Sequence, residues 1–134
     1  MQTVSTKATY GFRKYLDIPY TEAITRVTEA LKGEGFGILT TIDVKDTLKK
    51  KLNVDSKPYV ILGACNPHLA HQALTVEPEI GLLLPCNVIV YEEGAGSVVA
   101  IVDPQAMLGV VDNPALEAIA QEARIRLERV LEVL

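Results

Sequence analysis

Both cysteines and both histidines of the chain fall in two short stretches, Gly63-Ala64-Cys65-Asn66-Pro67-His68-Leu69-Ala70-His71 and Leu84-Pro85-Cys86-Asn87. Thiols and imidazoles are the groups best suited to nucleophilic, redox or metal chemistry. Cys65 immediately precedes Asn66-Pro67, an asparagine cap with proline in the first turn of a helix. Free backbone N–H groups and the positive end of the helix dipole favour a thiolate there. His68 and His71 are spaced to lie on the same side of that helix.

Several readings compete for these residues. In the plainest, both cysteines are small buried hydrophobes and both histidines are surface residues. A second gathers Cys65, His68, His71 and Cys86 around zinc, although C-x-x-H-x-x-H is not a standard finger spacing. A third makes Cys65 a redox or nucleophilic thiol, with Cys86 as resolving partner or His68 as base. Against it, the chain has no C-x-x-C, and no catalytic triad order can be assigned. The fourth is non-catalytic: the helix start at Asn66-Pro67 holds a small anion or carboxylate without any covalent step.

The surrounding elements are read from periodicity and punctuation. Residues 7–16 alternate as a half-buried strand ended by Asp17-Ile18-Pro19. A helix follows over 21–32 on the stripe Ile24, Val27, Ala30 and Leu31, stopped by Gly33 and Gly35. Because Gly33-x-Gly35-x-Gly37 follows a helix and does not open one, it is a cap and not a phosphate loop. Residues 37–42 form a second strand, with Ile38 and Ile42 on one side and Leu39 on the other. Asp43 caps a short helix to Leu52, whose outer face carries Lys45, Lys49 and Lys50 as a solvated charge run.

Residues 58–65 are nearly unbroken apolar and suit a central strand buried on both faces. The helix from Asn66-Pro67 ends near Leu74, and the charges of Glu77 and Glu79 belong to a loop. Periodicity leaves 80–84 undecided between turn and strand. Residues 88–92 and 97–102 are strands joined through Glu93-Gly94-Ala95-Gly96, with one helical turn over 105–108. Asn113-Pro114 opens the longest helix, apolar through Leu116, Ala123, Leu127 and Leu131 and polar through Glu122 and Arg126. Ile125 sits off the stripe and hints at a partner surface. The order is that of an α+β layer arrangement, with helices on one face of a largely antiparallel sheet.

The chain's 134 residues are long enough for a single domain, 1–134, with one sizeable core. A net charge of −4 argues against a general nucleic-acid binder, which needs a cationic field. The absence of tryptophan, with five tyrosines and two phenylalanines, argues against a base-stacking platform for single strands as well. The polar start over 1–10 lacks an apolar signal region, and no apolar run approaches spanning length, so the expectation is cytoplasmic with no membrane partner. Two cysteines are too few for a disulfide scaffold and are expected to rest as thiols.

Several landmarks together resemble the bacterial and archaeal family known as domain of unknown function 302. They are Gly35-Phe36-Gly37, Gly63-Ala64-Cys65-Asn66-Pro67, Ile80-Gly81-Leu82-Leu83-Leu84-Pro85-Cys86-Asn87 and Val88-Ile89-Val90-Tyr91-Glu92. The resemblance implies a small two-layer α+β domain with a β-α-β4-α core, similar in layout to the TATA-box-binding-protein-like folds, and a homodimer. It brings no reaction, cofactor or catalytic residue, and it does not import DNA binding, because function resides in sites. Cys65, Asn66 and Pro67 match its pattern, whereas His68 and His71 are not part of it. The combined expectation is a dimeric small-ligand or anion-binding module, without cofactor or metal, using Cys65, Asn66, Pro67, His68 and Cys86. The enzyme alternative is a thiol-dependent redox protein on Cys65 and Cys86, and the third class is a non-catalytic interaction scaffold.

Overall fold

Period-two side chains sort this protein into layers. A computed structural model describes residues 10–134. In chain order it runs Gly11–Leu16 (β1), Tyr20–Gly33 (α1), Gly37–Asp43 (β2), Val44–Leu52 (α2), Tyr59–Cys65 (β3) and Pro67–Val76 (α3). Then come Cys86–Glu93 (β4), Gly96–Val102 (β5), Pro104–Leu108 (α4) and Glu117–Glu132 (α5), with single 3-10 segments at Pro78–Leu83 and Pro114–Leu116. All strand pairs are antiparallel, in the order β1-β5-β4-β3-β2. With β1, α1, the four later strands and α5, this is the expected β-α-β4-α core. The expected first strand is seen from Gly11; its residues 7–9 lie outside the described residues.

Directly paired residues share a face, so the register identifies the two sides of the sheet. Val60, Leu62 and Ala64 of β3 align with Val90, Val88 and Cys86 of β4, and Val88 and Val90 with Ile101 and Val99 of β5. These residues are buried with Ala23, Val27 and Leu31 of α1 and Ala123, Leu127, Val130 and Leu131 of α5. Burying each large aliphatic here is worth about 1.5–3 kcal/mol, which is why α1 and α5 hold to this side. A smaller cluster of Ala73, Ile80, Leu108, Leu116 and Ala120 ties α3, α4 and the 3-10 segments to α5.

The opposite side carries Tyr59 and Ile61 of β3, Ile89 and Tyr91 of β4, and Ala100 of β5, all half-buried. β3 is therefore not buried on both faces, as its apolar run suggested: only alternate residues meet the helices. A register shift between Ile38 and Thr40 corrects a second expectation. It aligns Ile38 with Ala64 and Ile42 with Ile61, so those two isoleucines face opposite sides.

Asp43 caps α2 by accepting from the Asp46 N–H, and Asn53 closes it in the left-handed region. The lysines of its outer face are engaged: Lys50 with Asp46 at 3.0 Å, Lys49 with Asp55 at 3.2 Å and Lys45 with the Ser56 carbonyl at 2.7 Å. Exposed pairs like these stabilise little, but they leave a mixed surface where the sequence showed a cationic run. The helix after Asn66-Pro67 runs on to Val76, past the expected end, and the undecided 80–84 stretch lies in the 3-10 segment and its exit. Among the described residues no helix is long and apolar enough to cross a membrane.

Candidate functional site

The site is built where β3 ends and α3 begins. Cys86 pairs with Ala64, so Cys65 lies one step beyond it at the same end of the sheet. Asn66 is buried, and its Oδ1 accepts the Leu69 N–H at 3.1 Å. Its carbonyl accepts from Ala70 at 2.9 Å, and Pro67 has no N–H to offer. Of the first turn, only the His68 amide is left outside these bonds. An anion at this helix start would meet one free N–H and not a full ring of donors.

Cys65, Asn66 and Cys86 line an apolar cavity of about 40 Å³ together with Phe36, Leu69 and Leu84. Both thiols are free. Burial pushes Cys65 up from its ordinary value and pushes Cys86 up to about 11, with Cys65 adding to the latter. Desolvation disfavours the thiolate of both sulfurs.

On the other side of Asn66 lies a groove of about 310 Å³ between α3 and α5. His68 and Gln72 of α3 stand on one wall and Glu122 and Arg126 of α5 on the other, over Leu69 and Ile119. Arg126 Nε donates to Glu122 at 2.6 Å, and its Nη1 donates to the Glu34 carbonyl at 3.4 Å. Glu34 in turn accepts from Arg129 at 2.9 Å, and this pairing raises Arg129 above its ordinary value.

Gly35 completes the corner. Its φ of +85° is left-handed, and a Cβ there would come 2.8 Å from Asn66 Nδ2 and 3.4 Å from Arg126 Nη1. Only glycine lets the end of α1 close against Asn66 and Arg126 together. A different need sets Gly63, where a Cβ would collide with the Thr40 side chain and come 2.8 Å from Pro85.

The fold therefore splits the sequence-derived set. Cys65 and Cys86 share the apolar cavity, His68 faces the groove, and Asn66 is the wall between them. Pro67 and His71 are exposed and line neither. Among the described residues no three of His, Cys, Asp and Glu converge to hold a metal ion. Gln72, Glu122 and Arg126 were absent from the sequence-derived set. The i,i+4 spacing of Glu122 and Arg126 shows them paired, but nothing local announces that α3 faces them.

A larger concavity, about 600 Å³, lies elsewhere, between α4 and the start of α5. Its Asn113 is spent on Val76, Glu77 and Ala115, and its carboxylates Asp112 and Glu117 have no cation beside them in the lining. Volume without convergent polar groups does not make it the better site.

Comparison with known proteins agrees with this layout. The family described as Domain of unknown function DUF302 matches residues 12–134. Among solved structures, the crystal structure of uncharacterized conserved protein DUF302 from Bacillus stearothermophilus is similar to this chain, with a TM-score of 0.86 and 34% sequence identity. The similarity covers 93% of this chain and 98% of that one. No curated protein matches.

Proposed function

The chain belongs to the domain of unknown function DUF302 family, and from that premise we propose that it is a homodimeric, cytoplasmic module that binds a small anion without transforming it. The observation that carries this reading is the groove in which the His68 start of α3 faces Arg126 of α5. A guanidinium has five N–H donors, and two protein acceptors are recorded for that of Arg126. It can therefore give a carboxylate or phosphate a charge-assisted contact in the groove that His68 also lines. Glu122 moderates the charge, so the fitting ligand is small and singly or doubly anionic. Two free thiols suit a reducing compartment.

The environment of the two sulfurs favours the thiol-dependent alternative less. Neither Cys65 nor Cys86 is poised as a thiolate, because burial raises both. Calorimetric titration with inorganic phosphate and with acetate tests the binding reading. Wild type should give a saturable isotherm for at least one of them, and Arg126→Gln should weaken it by about tenfold or more, as loss of a charged hydrogen bond does. No saturable binding in wild type, or equal binding in a folded Arg126→Gln variant, would sink the reading.

A further inference from the structure

The cap made by Asn66 uses only half of its amide. The residue is 4% exposed, and its Oδ1 accepts the Leu69 N–H at 3.1 Å, which fixes the orientation of the amide. Nδ2 is turned the other way, with two N–H donors and no acceptor among the described residues. Nor is it sealed: among those residues Ser56 Oγ is the one side-chain polar atom both shut off from solvent and unpartnered. A donor on so buried a residue is costly to leave unmet, and an acceptor on a ligand recovers that cost.

A second donor stands beside it. A Cβ built on Gly35 would lie 2.8 Å from Asn66 Nδ2 and 3.4 Å from Arg126 Nη1, so the two nitrogens flank one spot that glycine leaves clear. Asn66 and Arg126 both line the α3–α5 groove, over a floor that includes the half-buried Leu69 and Ile119. Besides the His68 imidazole, the ionisable groups of the lining are Arg126 and Glu122, already joined at 2.6 Å. One negative charge on a ligand can share Arg126 with Glu122. A second would face the Glu122 carboxylate with no further guanidinium or ammonium in the lining to balance it.

We infer that Asn66 Nδ2 and Arg126 together select a small monocarboxylate, with its oxygens divided between amide and guanidinium and its apolar body over Leu69 and Ile119. This rests on the anion-binding reading and narrows it, from small anions in general to a carboxylic acid with a short apolar chain. A carboxylate offers two oxygens to two separate donors and carries a single charge. Phosphate brings more charge than the groove balances and has no apolar part for its floor. The volume of about 310 Å³ is at the small end for ligand sites and suits a body of a few carbons.

Calorimetric titration of the full chain near pH 7 with butyrate, acetate and inorganic phosphate tests this. Wild type should bind butyrate at least about tenfold more tightly than phosphate. It should also prefer butyrate to acetate by up to about tenfold, because two further methylenes are buried. Asn66→Ser keeps a capping hydroxyl and removes Nδ2, so it should weaken butyrate by about tenfold and phosphate by less. Asn66→Asp also keeps the cap, in nearly the original shape, and should weaken butyrate further because an oxygen then faces the carboxylate. It serves as the second variant if Asn66→Ser fails to fold. Phosphate bound as tightly as butyrate overturns the inference and leaves the anion reading standing. So does butyrate bound equally by wild type and by the folded Asn66 variants. Absence of binding of all three anions to wild type overturns both.

Discussion

Cys86 packs at the sheet end beneath Leu108, Ile119 and Ala123, and there its thiolate would lose hydration with no cation to replace it. That is why burial pushes it up to about 11 from an ordinary value of 9.0. The consequence for stability has a definite sign. Below about pH 9 the thiol is protonated in both states and burying it carries no ionisation cost. Between about pH 9 and pH 11 the unfolded chain releases its proton first, so the folded state binds more protons and stability falls as pH rises. The full loss is on the order of 2–3 kcal/mol. Urea midpoints of wild type and Cys86→Val, measured near pH 8 and near pH 11, isolate this group from lysines and tyrosines that titrate nearby. Wild type should lose more than the variant across that interval. Parallel losses would show that Cys86 is better solvated than its surroundings indicate.

At the scale of elements, three chain segments meet at one backbone position. The end of α1 turns through Gly35, the cap of α3 comes in as Asn66, and α5 contributes Arg126. Gly35→Ala should therefore cost about 1–3 kcal/mol, from a left-handed residue carrying a Cβ and from the push on Asn66. It should also weaken any anion bound in the α3–α5 groove, whereas Gly33→Ala, with open space around it, should do neither. Thermal melts with and without phosphate distinguish the two variants, and equal behaviour would remove the corner's structural role. Much of this level was legible in the sequence, because caps are local chemistry. Asp43, Asn66-Pro67 and Asn113-Pro114 each accept the N–H that their side chains promise. The β2 register shift was not legible: a single extra residue flips Ile38 relative to Ile42 without altering composition. Nor was the far wall of the groove. Glu122 and Arg126 read as a solvated pair until α3, some fifty residues earlier, is laid against them.

Across the whole molecule, the first described strand and the last helix are the parts whose contacts span the longest stretch of chain. β1 is an edge strand, held on one side by β5 alone. Lys14 turns toward the helix layer and donates to the Leu131 carbonyl at 3.2 Å and to Leu134 O at 2.8 Å. A lysine at this end of α5 adds a charged donor to the Leu131 carbonyl, which also accepts the Leu134 N–H at 3.3 Å, and complements the negative end of the dipole. Arg124 makes a second tie, bonding Asp103 at 3.3 Å while its guanidinium lies 4.9 Å over the Phe12 ring. These contacts close the chain, so β1 and α5 should unfold with the sheet as one unit. Lys14→Met keeps the aliphatic stem and removes the donor, and it should lower stability by about 1–3 kcal/mol. The urea midpoint should fall while the slope stays that of wild type, and hydrogen exchange should quicken in the last turn of α5. Lys14→Arg should recover part of the loss. If the variant instead unfolds in two steps, with α5 melting first, then α5 is held by its apolar face alone and the closure assigned to Lys14 is wrong.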